Sequence, residues 1–242
     1  MKKQFIAAIV VFGLSIGCEV VKESPSFEVK HAGALRDVMQ KGDITAKITL
    51  SEIENLPHVY ALGAVENLKG EIFVFDGKPF VASVKDSVLK IDKNFSGKAN
   101  LLVYAQVEQW QKVNIPPEIG SVKALEAFVQ EKAAELGLDV EAPFPFLLRG
   151  EAARIEWHVI DWPEGDVEHT HAKHKTSGLN GVLENDAFDI VGFYSNKHHG
   201  VFTHHSTNIH LHFKNSDDTV SGHVDDLALD GRLVLYLPTS QD

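Results

Sequence analysis

Apolar residues recur at every second position in many short segments of this chain, which is the period of strands that bury one face. Residues 59–84 contain two such runs, rich in β-branched and aromatic residues, with Asp76-Gly77 between them. An Asp-Gly pair favours the tight turn of a β-hairpin. The pattern therefore predicts a hairpin here, and a further strand over residues 103–107.

Helical spacing of apolar residues is clearest in two segments. Residues 32–40 form an amphipathic stretch that ends near Gly42, a residue type that commonly terminates helices. The stronger pattern lies between Ser121, a residue type that caps helix starts, and Gly137. It predicts a helix with one apolar face, formed by Val122, Leu125, Phe128, Val129 and Leu136.

The C-terminal part of the chain carries mostly strand patterns. A strand pair is predicted over residues 144–162 and a polar surface loop over residues 163–181. Five short strands follow, in residues 187–195, 200–205, 208–215, 219–229 and 231–237. Together the elements predict a strand-dominated α+β fold of two lobes, residues 32–148 and 149–242. The N-terminal sheet is predicted to be mixed or antiparallel, and the C-terminal β domain antiparallel.

The N-terminus has the pattern of an export signal. Lys2 and Lys3 precede an apolar run over residues 5–17, which is shorter than the roughly 20 residues that cross a bilayer as a helix. The run stops at Cys18, preceded by a small residue, as a bacterial lipoprotein signal requires. We therefore expect a lipoprotein signal peptide over residues 1–18, lipidation of Cys18, and a polar tether over residues 19–31. The alternative is ordinary secretion with Cys18 removed.

Composition narrows the chemistry further. Cys18 is the chain's only cysteine, so disulfides, thiolate zinc sites and iron–sulfur clusters are excluded. A net charge of −11 argues against nucleic-acid binding and against charge-driven binding to anionic lipid. Contact with a membrane is expected through the lipid anchor only, and a homodimer is left open. Any metal must be held by histidine, carboxylate or carbonyl groups.

Three histidines have the spacing of a metal site. His210 and His212 alternate with apolar neighbours, so they share one face of a predicted strand. A turn at residues 215–218 would return the chain, bring His223 beside them, and let Gly222 approach the neighbouring backbone closely. Three neutral imidazoles suit zinc or another late first-row divalent metal and leave coordination positions open. The alternative is that each histidine is hydrogen-bonded and none binds metal.

Several of the remaining histidines surround this strand in sequence. His169, His171 and His174 fall in the predicted loop, where they are either exposed side chains or an accessory metal site or flap. Of the pairs His198-His199 and His204-His205, His205 is the one expected to approach the three-histidine site.

The C-terminal segment over residues 190–238 resembles the α-acetolactate decarboxylases, in which a His-x-His pair and a histidine eleven residues later bind zinc in a C-terminal β domain. His210, His212 and His223 match that spacing. The hairpin region from residue 62 to 80 and the arginine-bearing segment over residues 144–155 resemble the family too. The resemblance implies the two-lobe decarboxylase fold, a zinc cofactor and a small 2-hydroxy-3-keto acid as substrate.

Two further site residues are implied by this resemblance. Glu71 matches the family's metal-side glutamate, which would bind the metal or handle a proton, and Arg149 matches its active-site arginine, which would hold the substrate carboxylate. The family's glutamate from a C-terminal tail has no counterpart, and a family threonine is Ala64 here. Glu66, Asp225 or Asp226 is expected to compensate, and the alternative is that a metal-bound water delivers the proton.

Two functions remain open at this point. The first is a carboxy-lyase that converts acetolactate to acetoin and carbon dioxide. The second is a lipid-anchored, histidine-rich metal-binding protein on a degenerate decarboxylase fold.

Overall fold

The computed structural model describes residues 27–239. The predicted signal peptide, its lipidation site Cys18 and most of the predicted tether lie outside these residues and stay predictions. Within residues 27–239, no helix combines the length and the apolar character needed to cross a membrane.

The N-terminal half builds an antiparallel sheet of seven strands within the described residues. In chain order these are β1 (Lys30–Ala32), β2 (Ile48–Thr49), β3 (Val59–Val65), β4 (Glu71–Phe75), β5 (Lys78–Lys85), β6 (Val88–Asp92) and β7 (Lys98–Gln106). They lie in the order β1-β7-β3-β4-β5-β6, and β2 pairs with β7 beside β1. All pairings are antiparallel, so the antiparallel prediction is confirmed and the mixed one is wrong. The predicted Asp76-Gly77 turn joins β4 to β5, with positive φ angles of 48° and 72°.

The C-terminal half builds a second antiparallel sheet, of six strands within residues 27–239. They are β8 (Trp110–Asn114), β9 (Phe144–Val159), β10 (Leu179–Tyr194), β11 (Ile209–Asn215), β12 (Ser221–Ala228) and β13 (Leu233–Pro238). Their order is β10-β11-β12-β9-β13-β8, and β9 also pairs with β10 along almost its whole length. This additional pairing closes β9, β10, β11 and β12 into a ring.

Two strand predictions in this half are wrong. The predicted strand pair over residues 144–162 is the single strand β9. Gly150 within it, which reads as a turn residue, has a φ of 127°, and a Cβ there would lie 2.4 Å from the carbonyl oxygen of Arg232. Gly150 therefore allows the neighbouring strand to approach closely and does not reverse the direction of the chain. Residues 200–205 form turns, with an isolated bridge between His199 and Thr203, because no alternating apolar face is present there to pair.

The two strongest helix predictions are confirmed. Helix α1 (Leu35–Lys41) ends at Gly42, which has a left-handed φ of 63°. Helix α2 (Val122–Glu135) begins after Ser121, whose side chain accepts a hydrogen bond from the N–H of Ala124. A third helix, α3 (His171–Thr176), lies in the segment predicted as a loop. Short 3-10 turns occupy Leu50–Glu52 and Glu66–Leu68.

The core lies in layers that position the site between the two sheets. A shared cluster contains Leu62 and Phe73 from the first sheet and Val191 and Phe193 from the second. Helix α2 packs with the second sheet through another cluster that includes Leu125. The predicted lobe boundary at residues 148/149 falls inside β9, and β8 and α2, which precede it, associate with the second sheet. The division of the chain into domains stays a prediction.

Candidate metal centre and active site

Strand pairing brings the three predicted histidines together. β11 is extended, so His210 and His212 share a face, and β12 returns beside it with His212 and His223 directly opposite each other. Gly222 permits the neighbouring strand to come close, because a Cβ there would lie 2.6 Å from the carbonyl oxygen of His158. The predicted strand, turn and return therefore all occur.

The ring nitrogens of these three histidines, here called the triad, converge on one point. The Nε2 atom of His210 lies 3.1 Å from Nδ1 of His223, and the Nε2 atom of His212 lies 3.2 Å from Nε2 of His210. The third separation, between Nδ1 of His223 and Nε2 of His212, is 3.3 Å. All three side chains are buried. The arrangement concentrates three nitrogen ligands in a site from which bulk water is largely excluded.

Backbone carbonyls fix the orientation of two imidazoles. The Nδ1–H of His210 donates to the carbonyl oxygen of Phe202 at 2.7 Å, and that of His212 donates to Ile72 in β4 at 2.9 Å. Burial lowers the pKa of His210 to about 3 and holds the pKa values of His212 and His223 well below their usual range. The rings are therefore neutral, and the facing Nε2 atoms of His210 and His212 both carry lone pairs.

Two lone pairs 3.2 Å apart repel each other unless a proton or a cation lies between them. Tetrahedral binding at metal–nitrogen distances of about 2.0–2.1 Å separates two ligand nitrogens by about 3.3 Å. The observed separations of 3.1–3.3 Å fit this value. Hydrogen bonds from the distal nitrogen to backbone carbonyls are typical second-shell partners of metal-bound histidine. The triad therefore fits a divalent metal, and His223 would offer Nδ1 where the other two offer Nε2.

Glu71 lies at the triad, as predicted, and comes from the other sheet. Its Oε2 atom is 3.6 Å from Nε2 of His212, and its Oε1 atom accepts a hydrogen bond from the N–H of Ile160 at 3.4 Å. Burial raises the pKa of the Glu71 carboxyl well above its usual range; the Ile160 N–H opposes this shift, and the charge of Asp225 adds to it. Burial thus favours the protonated form of Glu71 in the absence of a bound cation.

His158 is a site residue that the sequence pattern did not single out. It stands directly opposite His223 in the β9–β12 pairing, and its Nε2 atom lies 3.8 Å from Oε1 of Glu71. Its Nδ1 atom lies 3.0 Å from the carboxylate of Asp225, which Lys175 approaches to 3.5 Å. A continuous row of polar groups therefore runs from Lys175 to Glu71 and the triad. Only its position next to the last residue of a long strand, opposite a predicted ligand, could have indicated this role.

Two cavities adjoin the triad. The larger has a volume of about 480 Å³ and reaches His210 and His223, and the smaller, of about 60 Å³, reaches Glu71 and His158. His171, His174 and His204 line both cavities. The site is thus open to a small molecule, and imidazoles form much of its wall.

The accessory histidines divide between the wall and the surface. The ring of His204 lies 6.0 Å from that of His210 and 5.8 Å from that of His223. His204 therefore lies beside the triad, whereas His205 was the residue predicted there. Burial lowers the pKa values of His174 and His204 to about 4. His169 stacks on Trp162 instead. Within the described residues, the metal-compatible clusters are the triad and the group His158, His223 and Asp225.

Arg149 does not line either cavity. Its Nε atom donates to Asp189 at 2.7 Å, its guanidinium lies over the ring of Phe75, and its side chain is 48% exposed. The structure therefore does not bring Arg149 to the triad, in contrast to the role that the resemblance implies. The cause is the unbroken course of β9, which places Arg149 nine residues before His158, the residue of that strand that reaches the site.

A family model of alpha-acetolactate decarboxylase matches residues 33–240. The chain belongs to this family. No curated protein matches the sequence of this family member.

Solved structures have the same fold at low sequence identity. The alpha-acetolactate decarboxylase of Bacillus subtilis strain 168 superposes with a TM-score of 0.68 at 16% identity, over 87% of this chain and 85% of that one. A Staphylococcus aureus protein of unknown function, described as similar to alpha-acetolactate decarboxylase, gives 0.67 at 16% identity, over 88% and 86%. These likenesses support the predicted strand-dominated decarboxylase fold.

The three carboxylates that the sequence analysis singled out, Glu66, Asp225 and Asp226, have different positions. Asp225 reaches His158 and lines the larger cavity. Glu66 and Asp226 line neither cavity, whereas Ala64 forms part of the wall of the smaller one. Of these candidates, Asp225 is the carboxylate that joins the polar row at the site.

Proposed function

We propose that this chain is a divalent-metal-dependent carboxy-lyase that converts 2-acetolactate, or a closely related 2-hydroxy-3-keto acid, to acetoin and carbon dioxide. The observation that carries the proposal is the convergence of three neutral imidazole nitrogens beside a buried carboxyl group and a cavity of about 480 Å³. Zinc is the ion we propose, because a site of three imidazoles with no thiolate suits it.

The reaction breaks the bond between C2 and the carboxylate, and the electron pair remains on C2. This pair is delocalised onto the neighbouring keto oxygen as an enediolate, and a proton must then reach carbon to complete acetoin. A bound divalent ion supplies a Lewis acid that polarises the keto group and stabilises the developing negative charge.

The proton is proposed to come from the row that ends at Glu71. Glu71 is placed to pass a proton to the substrate, because its buried carboxyl group lies beside the triad with Oε2 3.6 Å from Nε2 of His212. His158 continues the polar row, with its Nε2 atom 3.8 Å from the other carboxyl oxygen of Glu71. Asp225 accepts the Nδ1–H of His158 and so keeps its Nε2 atom toward Glu71.

The test is release of acetoin and carbon dioxide from 2-acetolactate by the zinc-loaded full-length protein. We expect wild type to turn over and His212→Ala to lose at least about a hundredfold in rate, since removal of one catalytic group commonly costs this much. His58→Ala is the matched control, because His58 is an exposed histidine paired with Asp76. Tight binding of one metal by wild type with no acetoin release would exclude the proposed reaction.

A second candidate is a metal-binding protein on the decarboxylase fold. It is favoured by the wall of the larger cavity, where four histidines outside the triad face the same space: His171, His174, His204 and His205. Zinc titration distinguishes the two functions. A carrier would bind metal and exchange it readily with a chelator without turning over acetolactate.

We also propose that the protein is exported and anchored to a bacterial membrane through lipidated Cys18. The support is the Lys-Lys and apolar run before that cysteine. Cys18→Ser should abolish metabolic labelling with a radioactive fatty acid and release the protein from the membrane fraction. Unchanged labelling of Cys18→Ser would contradict lipidation at this residue.

A further inference from the structure

We infer that Arg36 binds the carboxylate of the substrate, an inference that rests on the proposed function and names the residue that recognises the acid group. Arg36 lies in α1, one residue after the helix begins, and lines the larger cavity together with His210 and His223 of the triad. It is the one lysine or arginine among the described residues that line this cavity. Its side chain is exposed, as a group that meets an entering anion must be.

The charges around the cavity leave Arg36 unpaired. Within the part of the chain that the structure describes, its guanidinium has no ion pair and no hydrogen bond. The cavity's carboxylate, Asp225, is nearly buried and already contacts His158 and Lys175. A substrate carboxylate therefore meets an available cation at Arg36 and a negative charge at the Asp225 side, which orients the molecule in one direction.

Two other basic residues, unlike Arg36, form ion pairs with carboxylates of the protein. Lys41, on the same helix, pairs with Asp37 at 2.7 Å, and Arg149 is paired with Asp189 at the same distance. Both are thus neutralised by carboxylates of the protein itself. The guanidinium of Arg36 remains free to form a bidentate contact with a carboxylate.

The backbone holds Arg36 in a fixed relation to the triad. The N–H of Arg36 donates to the carbonyl oxygen of Gly200 at 2.7 Å, and the N–H of Leu35 donates to Val201 at 2.9 Å. The next residue, Phe202, provides the carbonyl that orients His210. One loop, residues 200–202, therefore contacts both the start of α1 and a triad imidazole, and Arg36 and His210 line the same cavity.

The test compares a charged probe with a neutral one. The zinc-loaded full-length protein is titrated by calorimetry with 2-hydroxy-2-methylpropanoate, which has the carboxylate and hydroxyl but no ketone, and with acetoin, which has no carboxylate. For Arg36→Gln we expect the dissociation constant of the hydroxy acid to rise about ten- to a hundredfold, the range for loss of a charged hydrogen bond. Acetoin binding should change by less than about twofold, because acetoin has no group for Arg36. Arg36→Lys should retain part of the preference for the acid, since lysine keeps the positive charge but cannot form the bidentate contact.

Lys41→Gln is the matched control, since it removes a cation from the same helix outside the cavity lining, and it should leave both titrations unchanged. The inference is overturned if Arg36→Gln binds the hydroxy acid as wild type does, if it weakens both probes equally, or if Arg149→Gln produces the acid-specific loss instead. Failure of the proposed function has a different signature. In that case the acid-specific effect of Arg36→Gln persists while wild type releases no acetoin from acetolactate.

Discussion

The second sheet carries two polar clusters that share strand β11, and they differ in whether each polar group has a partner of complementary charge within the protein. Lys214 follows His212 on β11 at the two-residue period, and its Nζ atom lies 3.1 Å from Asp189, which also accepts from Arg149. Every charge in that cluster has a partner of opposite sign. The triad, by contrast, places the lone pairs of two Nε2 atoms, those of His210 and His212, 3.2 Å apart.

This difference distinguishes polar groups that stabilise the fold from polar groups that can bind a ligand. Ion pairs such as that of Arg149 and Asp189 complete themselves and need no ligand. Converging lone pairs in a buried site are costly unless a cation joins them, and the carbonyls that orient His210 and His212 hold the rings in this arrangement. The strand period alone shows which face a residue occupies, whereas the partners show what the residue can do.

The largest effect is expected on removal of a triad imidazole. His212→Ala should weaken zinc binding more than about a hundredfold, because loss of second-shell partners alone costs ten- to a hundredfold. The measurement is a competition titration of the metal-free protein with a chelator of known affinity. His58→Ala should bind zinc as wild type does, and an equal loss in both variants would show that the site lies elsewhere.

The stability of the metal-free protein should depend on pH through the same groups. The folded-state pKa of His210 is about 3, below its unfolded value, so protonation favours the unfolded chain. The stability that the neutral His210 contributes to the folded protein is fully present above pH about 6.5. It is lost as the pH falls toward about 3, at about 1.4 kcal/mol per pH unit. His212 and His223 act in the same direction.

Glu71 has the opposite effect on stability. Because its pKa is raised in the folded protein, its contribution to the free energy of unfolding falls as the pH rises above about 4.5. Three histidines outweigh one glutamate, so the free energy of unfolding, measured by urea denaturation, should be lower at pH 5.5 than at pH 7.5. His210→Gln should reduce the slope and His58→Ala should preserve it. A flat profile in wild type would contradict burial of neutral imidazoles.

Glu71→Gln tests the carboxyl group between the sheets. It should weaken zinc binding about ten- to a hundredfold, as expected for a residue that adjoins the ligands, and should change the stability of the metal-free protein little, since burial favours the uncharged form of Glu71. Glu54→Gln, at an exposed position, is the control. Unchanged zinc affinity and unchanged acetoin release in Glu71→Gln would remove Glu71 from the site.

The smallest effect is expected at the satisfied cluster. Arg149→Gln should change the free energy of unfolding by less than about 1 kcal/mol, the range for exposed ion pairs. Zinc affinity and acetoin release should stay within about twofold of wild type. A rate loss above tenfold would restore the substrate-binding role that the family resemblance implies for Arg149.

Local patterns predicted what depends on neighbours in sequence. The Asp76-Gly77 hairpin, the Ser121-capped helix and the alternation around His210 and His212 are each set by a few adjacent residues, and all are present. Glu71 came from the family resemblance, and the structure brings it to the triad through the packing of the two sheets.

Residues placed by distant pairing could not be predicted in the same way. His158 reaches the site because β9 runs unbroken through Gly150 and pairs with β12, and neither fact is visible in local spacing. His204 replaces His205 beside the triad because residues 200–205 form turns, where side-chain direction does not alternate as in a strand. Arg149 was assigned from the family resemblance, and its contacts with Asp189 and Phe75 depend on how β9 pairs with β10 and packs against the first sheet.

X-ray absorption at the zinc edge of the zinc-loaded protein measures the donor set of the triad directly. One zinc per chain should be bound, with three imidazole nitrogens at about 2.0–2.1 Å and oxygen in the remaining positions. His212→Ala should lower the imidazole count to two. Zinc with two or fewer imidazoles in wild type, or a shell unchanged in His212→Ala, would contradict a metal centre formed by His210, His212 and His223.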